Sequence, residues 1–269
     1  MSGAARPSRP RDELPTYSPR LMAWFARWLE GYFAKSFTAV RVSKTSAPPP
    51  AWDVPVILYS NHPSWWDPIL FMLLGAKLVH VEEGYGPIDA AMLEKYSLFK
   101  RLGLFGVEQD SRRGAAKFLR TSLEILERPG ASLWLTAEGE FTDPRRRPVA
   151  LRPGIAHLAA RLPRGRIVPL AMEYPFWNER RPEALVRLGP PIEIEPGEGR
   201  TVEEWTTTLE EALAATMDIL AEEAQTRDPG RFETLVAGKK GVGGVYDLGR
   251  RLRALIRGER FRAGHGEEE

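Results

Sequence analysis

The chain has 269 residues, 43% hydrophobic and 28% charged, which suits one large folded domain. Its formal charge is only +2, so no overall field argues for a nucleic-acid partner. It contains no cysteine, which excludes disulfides, thiolate metal sites and cysteine nucleophiles.

The four histidines, His62, His80, His157 and His265, show no metal-ligand spacing such as H-E-x-x-H, and no metal is expected. Residues 1–17 are rich in Pro and Arg and lack an apolar signal core, so they read as a disordered lead rather than a secretory signal. No apolar run approaches the roughly 20 residues that span a bilayer.

Residues 18–44 open with "SPRLMAWFARWLEGYFAKSFTAVRV". Leu21, Trp24, Phe25, Trp28, Leu29, Tyr32 and Phe33 recur at helical spacing, with Ser18-Pro19 as a helix start. Arg20, Arg27 and Lys35 lie among the aromatics. The segment fits an amphipathic helix docked on the core, or one lying in the headgroup region of a membrane.

"SKTSAPPPAWD" reads as a linker. Beyond it, "VPVILYS" reads as a buried strand, "DPILFMLLGA" as a short buried helix and "KLVHVEE" as a second strand, a strand–helix–strand order that suggests a parallel pair. "IDAAMLEKYSLFKRLG" is helical by period, with Gly103 as its terminator. "RRGAAKFLRTSLEILERPG" predicts a helix with Ala116, Leu119, Leu123 and Leu126 on its apolar face. "ASLWLTA" and "RIVPLAMEY" read as strands, "EALVRLGPPIEI" holds another, and "PGIAHLAARLP" is a short helix. A long helix follows, opened by the capping signal Thr201 to Glu204. From Lys239 to Arg262 eight Lys or Arg stand against two acids, which fits a solvated surface helix or contact with anionic lipid. The expected architecture is a single α/β domain with a mostly parallel central sheet flanked by helices, an N-terminal amphipathic helix and a C-terminal helical extension. Its catalytic part spans 52–228, with a basic extension at 229–269.

"YSNHPSWWDPIL", Tyr59 to Leu70, holds the closely spaced pair His62 and Asp67. Asn61-His62 falls at the carboxyl end of the "VPVILYS" strand, the edge where α/β sheets place their sites. Asp67 would stand at the N-terminus of the next helix, where the dipole favours its charge. A carboxylate beside an imidazole fixes its tautomer, so the pair is built like a general base with its orienting partner. No G-x-S-x-G elbow is present, which weakens an esterase reading and points to a nucleophile brought by the substrate.

"NHPSWWD" resembles the N-H-x-x-x-x-D motif of the glycerolipid acyltransferases, the superfamily of glycerol-3-phosphate and lysophosphatidic acid acyltransferases. "GLFGVEQDSRRG", "LTAEGEFTD" and "IVPLAM" resemble its three further blocks in order. The aromatic–basic N-terminal helix and the basic tail predict a cytoplasmic enzyme held peripherally on the inner face of a membrane, and the resemblance implies its activity. It would pass a fatty acyl group from acyl-CoA or acyl carrier protein to a lipid or glycolipid hydroxyl, without other cofactor. It implies His62 as base and Asp67 as its partner. Asn61 opens the motif, Glu138 and Gly139 would shape the acceptor pocket, and Val168-Pro169 would support the acyl side or serve simply as core at a strand end. Trp65 and Trp66, at variable positions of the motif, would pack under the pair or wall an apolar acyl or acceptor channel. Two arginines that hold the acceptor's phosphate in the family fall on Gln109 and Phe141, and neither side chain replaces a guanidinium. Arg112, Arg113 and the run Arg145 to Arg147 lie near enough in sequence to compensate, or form a solvated cluster. The departures imply an acceptor without a phosphomonoester at the usual place. A non-catalytic lipid-binding relative, and an enzyme acting on an amine, are the competing expectations.

Overall fold

The structure is a computed structural model that describes residues 14–238. The basic stretch beyond Lys239 and the start of the N-terminal lead lie outside the described residues.

Helix α1 (Pro19–Ser36) leads into strand β1 (Ala39–Ser43). Strand β2 (Val56–Ser60) is followed by α2 (Asp67–Leu74), β3 (Glu83–Asp89), α3 (Ala90–Lys95) and β4 (Leu104–Val107). Next come α4 (Arg112–Leu126), β5 (Ala131–Thr136), α5 (Gly154–Ala159) and β6 (Gly165–Glu173). Strands β7 (Glu183–Leu188) and β8 (Ile192–Ile194), helix α6 (Val202–Gln225) and β9 (Phe232–Ala237) complete the chain. One sheet runs β4-β3-β5-β2-β6-β7-β1-β9, with β8 pairing to β6. The four pairs joining β4, β3, β5, β2 and β6 in a row, and the pair β7–β1, are parallel; β6–β7, β6–β8 and β1–β9 are antiparallel.

The period of two along each strand sends side chains to opposite faces. In β2, Val56 and Leu58 join the apolar layer of α1 and α2, while Ile57 and Tyr59 join that of α4, α5 and α6. Both faces are therefore covered, which is why "VILYS" is buried at every position. The α/β architecture with a mostly parallel sheet is as the sequence implies.

Several elements differ from the sequence reading. "KLVHVEE" is not a strand. Gly75–Val79 continues α2 as a π-helical turn that ends at His80 in the left-handed region, and the strand begins only at Glu83. Strands β2 and β3 are parallel but not neighbours, because β5 inserts between them. The helix expected over 88–103 is split into α3 and a short 3-10 turn at Ser97–Arg101. On α4, Thr121, Ser122, Ile125 and Leu126 face inward, and Ala116 is exposed. Strands β1 and β9 bring residues from outside 52–228 into the sheet. Helix α6 carries the expected capping box, Thr201 with Glu204.

Helix α1 docks on the sheet through one face and exposes another. Phe25, Leu29 and Phe33 are buried against the sheet, while Trp24 and Trp28 are 59% and 49% exposed beside the exposed Arg20 and Arg27. Among the described residues no helix is long and apolar enough to cross a membrane.

Candidate active site

Three parallel strands deliver the site. The carboxyl ends of β2 (Ser60), β5 (Thr136) and β6 (Glu173) lie at one edge of the sheet, and the loops leaving them carry His62, Glu138 and Tyr174.

The loop after β2 is held before it turns. Asn61 is fully buried; its Nδ2 donates to the Met172 carbonyl and its Oδ1 accepts from the Met172 N–H, each at 2.9 Å. Asn61 thus braces β2 to β6, and its position is inside the protein rather than on a substrate surface. A tight turn follows, in which the Asp67 N–H donates to the Ser64 carbonyl and α2 starts with Asp67 and Pro68. That turn folds Asp67 back onto the start of the motif. Its Oδ2 accepts from the Ser64 N–H at 3.0 Å and from His62 Nδ1 at 2.7 Å. The five-residue spacing from His62 to Asp67 is therefore the length of one turn that returns a helix-start carboxylate to an imidazole.

Asp67 is inaccessible to solvent. Burial pushes its carboxyl above the usual carboxylate range, opposed by the hydrogen bonds from His62, Tyr174 and Ser64. The Tyr174 hydroxyl donates to Oδ1 at 2.6 Å. With the carboxylate accepting, Nδ1 carries the imidazole proton and Nε2 is the basic nitrogen.

The loop after β5 covers the other side. The His62 N–H donates to Glu138 Oε2 at 2.6 Å, and the Thr142 N–H donates to the His62 carbonyl at 3.0 Å. Burial also raises the Glu138 carboxyl, partly offset by that backbone hydrogen bond. Gly139 has φ +73°, and a Cβ there would lie 2.5 Å from Arg152 Cγ, so the turn uses the freedom of glycine. The Arg152 N–H donates to the Ala137 carbonyl at 2.8 Å, and its guanidinium pairs with Asp110 at 2.8 Å. One arginine thereby ties the loop of the second block to that of the third. Phe141 is 64% exposed, and its ring sits 4.5 Å from the His62 imidazole.

The remaining expected site residues are distributed more widely. Gln109 is exposed in the loop beside Asp110, and Arg112 and Arg113 are exposed at the first turn of α4. Arg145 pairs with Asp143 and Arg147 with Asp218. Val168 and Pro169 lie within β6, opposite Leu58 and Tyr59, as buried sheet positions short of the edge. Trp66 packs on Tyr32, Phe33 and Phe37 of the α1 region, and the exposed Trp65 stacks on Trp66 at 4.5 Å. Neither tryptophan lines the apolar cavity described next.

That cavity, about 240 Å³, lies between α1, α2 and the strands β3 and β5. Met22, Phe71, Met72, Val81 and Trp134 form its walls. It reaches Pro68, next to Asp67, and Thr136, two residues before Glu138. Tyr174, Arg152 and Ser64 were not anticipated from the sequence. The signal for Tyr174 was its place just past "IVPLAME", at the same sheet edge as His62.

A protein-family model described as Acyltransferase matches residues 39–173, from β1 to the end of β6, and takes in His62, Asp67 and Glu138. No curated protein matches the chain. Half of the sequence falls within the family match, and the chain belongs to the acyltransferase family, of the glycerol-3-phosphate and lysophosphatidic acid acyltransferase kind.

Proposed function

We propose that the protein transfers a fatty acyl group from an acyl thioester, acyl-CoA or acyl carrier protein, to a hydroxyl of a lipid or glycolipid acceptor. The observation that carries this reading is the His62–Asp67 contact at 2.7 Å on a sheet edge beside an apolar cavity. His62 Nε2 takes the proton from the acceptor hydroxyl as its oxygen attacks the thioester carbonyl. The tetrahedral intermediate collapses, the C–S bond breaks, and the imidazolium returns the proton to the leaving thiolate. Asp67 holds the ring and stabilises the imidazolium that forms. The cavity along α2 suits the acyl chain, since its wall is built of Met22, Phe71, Met72 and Trp134.

The acceptor has no phosphomonoester at the usual place. Gln109 and Phe141 stand where the family carries cations. Arg145, Arg147 and Arg152 are each paired with a carboxylate. A phosphate held by any of those three would have to displace its carboxylate. Phe141 against His62 offers the acceptor an apolar neighbour instead.

The exposed Trp24 and Trp28, flanked by Arg20 and Arg27, support peripheral binding to the anionic inner face of a membrane. Deleting α1 would expose the core under Phe25, Leu29 and Phe33, so substitution is the cleaner test. Trp24→Ser with Trp28→Ser should weaken sedimentation with phosphatidylglycerol vesicles. Unchanged sedimentation would remove α1 from the membrane account.

The reaction is tested by offering purified protein acyl-CoA and acyl carrier protein thioesters with a panel of acceptors, reading thiol release and product mass. Transfer to a neutral lipid or glycolipid alcohol should exceed transfer to glycerol 3-phosphate and lysophosphatidic acid. A preference for the phosphomonoesters would overturn the acceptor assignment. Amide products would select the amine alternative, and tight lipid binding with no transfer would select a binding-only relative.

A further inference from the structure

We propose that Tyr174 is a positioning residue of the His62–Asp67 pair, its phenol fixing the second oxygen of Asp67 so that the first stays aimed at the imidazole. The proposal rests on the reading of that pair as the catalytic base.

The two oxygens of Asp67 have separate partners. Oδ2 accepts from His62 Nδ1 and from the Ser64 N–H. Oδ1 accepts from the Tyr174 hydroxyl at 2.6 Å, a short bond for a phenol and a carboxylate. Asp67 is inaccessible to solvent, so water does not stand in for that phenol. Removing it strands a carboxylate oxygen in an apolar setting, where an unpaired polar atom is costly.

Tyr174 is itself held in place. It follows directly on β6, whose Met172 is braced by Asn61, and its ring packs 5.7 Å from Phe37. Phe37 in turn meets Trp66, the residue before Asp67. The phenol and the carboxylate therefore share one aromatic cradle. Burial, together with the neighbouring Asp67 charge, holds the Tyr174 hydroxyl well above its ordinary titration range. It remains a donor wherever the enzyme is assayed.

The titratable groups around the pair are few. Tyr174 faces Asp67 from the end of β6, and Glu138 faces His62 from the loop after β5. Arg147 acts on Glu138 and Glu173 from farther out. Phe37 and Trp66, packed on the Tyr174 side, carry no charge. The phenol's hydrogen bond favours the ionised Asp67, so its loss makes the pair as a whole hold protons more tightly. The active, proton-accepting form of the pair then appears only at higher pH.

The test is Tyr174→Phe, which removes one oxygen and keeps the ring, measured beside His62→Ala in the acyl-transfer assay. The expected result is a KM near that of the wild type and a kcat reduced about 10- to 100-fold at the acid end, with smaller loss at high pH. The acid limb of the profile should move up by about one pH unit. The low-field Nδ1 proton resonance of His62 should also shift. A kcat within twofold of the wild type, with superimposable profiles, would overturn the proposal. So would a uniform loss at every pH with an unchanged Nδ1 resonance, the behaviour of a merely structural residue. Should His62→Ala keep wild-type activity, the base reading itself falls, a result distinct from failure of Tyr174 alone.

Discussion

Replacing Asn61 by Ala isolates the brace that sets the loop carrying His62. The amide makes two hydrogen bonds, both at 2.9 Å and both to the backbone of Met172. The substitution leaves one buried N–H and one buried carbonyl without their partner. Each such orphan costs about 1–3 kcal/mol, so the expected loss is about 4 kcal/mol in all. For a domain of this size about 1 kcal/mol moves the unfolding midpoint by about 2–4 °C, which gives a fall of about 8–16 °C. Thermal unfolding by circular dichroism reads this directly. Asn61→Asp sharpens the test. A protonated carboxyl can keep both bonds, whereas the carboxylate meets the Met172 carbonyl with a negative charge. Burial raises the folded-state value of such an acid, so the folded state binds the extra proton and stability is lost as pH rises through that value. The aspartate variant should therefore approach the wild type at acid pH and fall toward the alanine variant at neutral pH. If Asn61→Ala lowers the midpoint by less than about 2 °C and Asn61→Asp shows no pH dependence, Met172 is satisfied without the amide and the brace is not what positions His62.

Burial is the leading cause holding the carboxyls of Asp67, Glu138, Glu173 and Glu183 above their ordinary range. Between that range and the raised values the folded chain binds more protons than the unfolded one, so this contribution to stability falls as pH rises. Glu173→Gln should gain stability relative to the wild type as pH is raised from about 4 to about 8, and a difference that ignores pH would contradict the burial account. Glu183→Ala should cost about 3–5 kcal/mol in denaturant unfolding, because it strands the buried Arg41 guanidinium that Glu183 meets at 3.0 Å. Arg41→Met with Glu183→Leu should recover most of that loss, and no recovery would mean that the pair does more than neutralise itself. Gly139→Ala forces a side chain into φ +73° and against Arg152. It should cost about 1–2 kcal/mol of stability and reduce activity by loosening the loop over His62, and a neutral result in both assays would refute the role given to that turn.

The pair His62–Asp67 was legible in the sequence because a single turn and a helix start fix its geometry, and local chemistry specifies both. Helix α6 was legible through the Thr201–Glu204 box, and α2 and α4 through their apolar runs and helical period. Strand β3 was not. Its "EGYGPID" contains two glycines and a proline, poor strand formers, and the neighbours β4 and β5 hold it extended. "KLV" has the composition of a strand, but continues a helix that buries Val79. Strand β1 carries Arg41 on a buried position, a pattern that reads as a helix tail until Glu183 and Thr234 are known to meet it from β7 and β9. Tyr174 and Arg152 act across 107 and 42 residues of sequence respectively, through Asp67 and Asp110. No local spacing encodes such contacts. The order of the parallel strands does, because β2 and β6 are adjacent and run toward the same edge.

The most direct measurement is thiol release from an acyl thioester, in the presence of a lipid alcohol, by the wild type and by His62→Ala. The account predicts a fall of about 100-fold or more in kcat, the scale of a lost general base, with the unfolding midpoint preserved. Activity of His62→Ala within about threefold of the wild type would contradict it, since the proton would then leave the acceptor by another route.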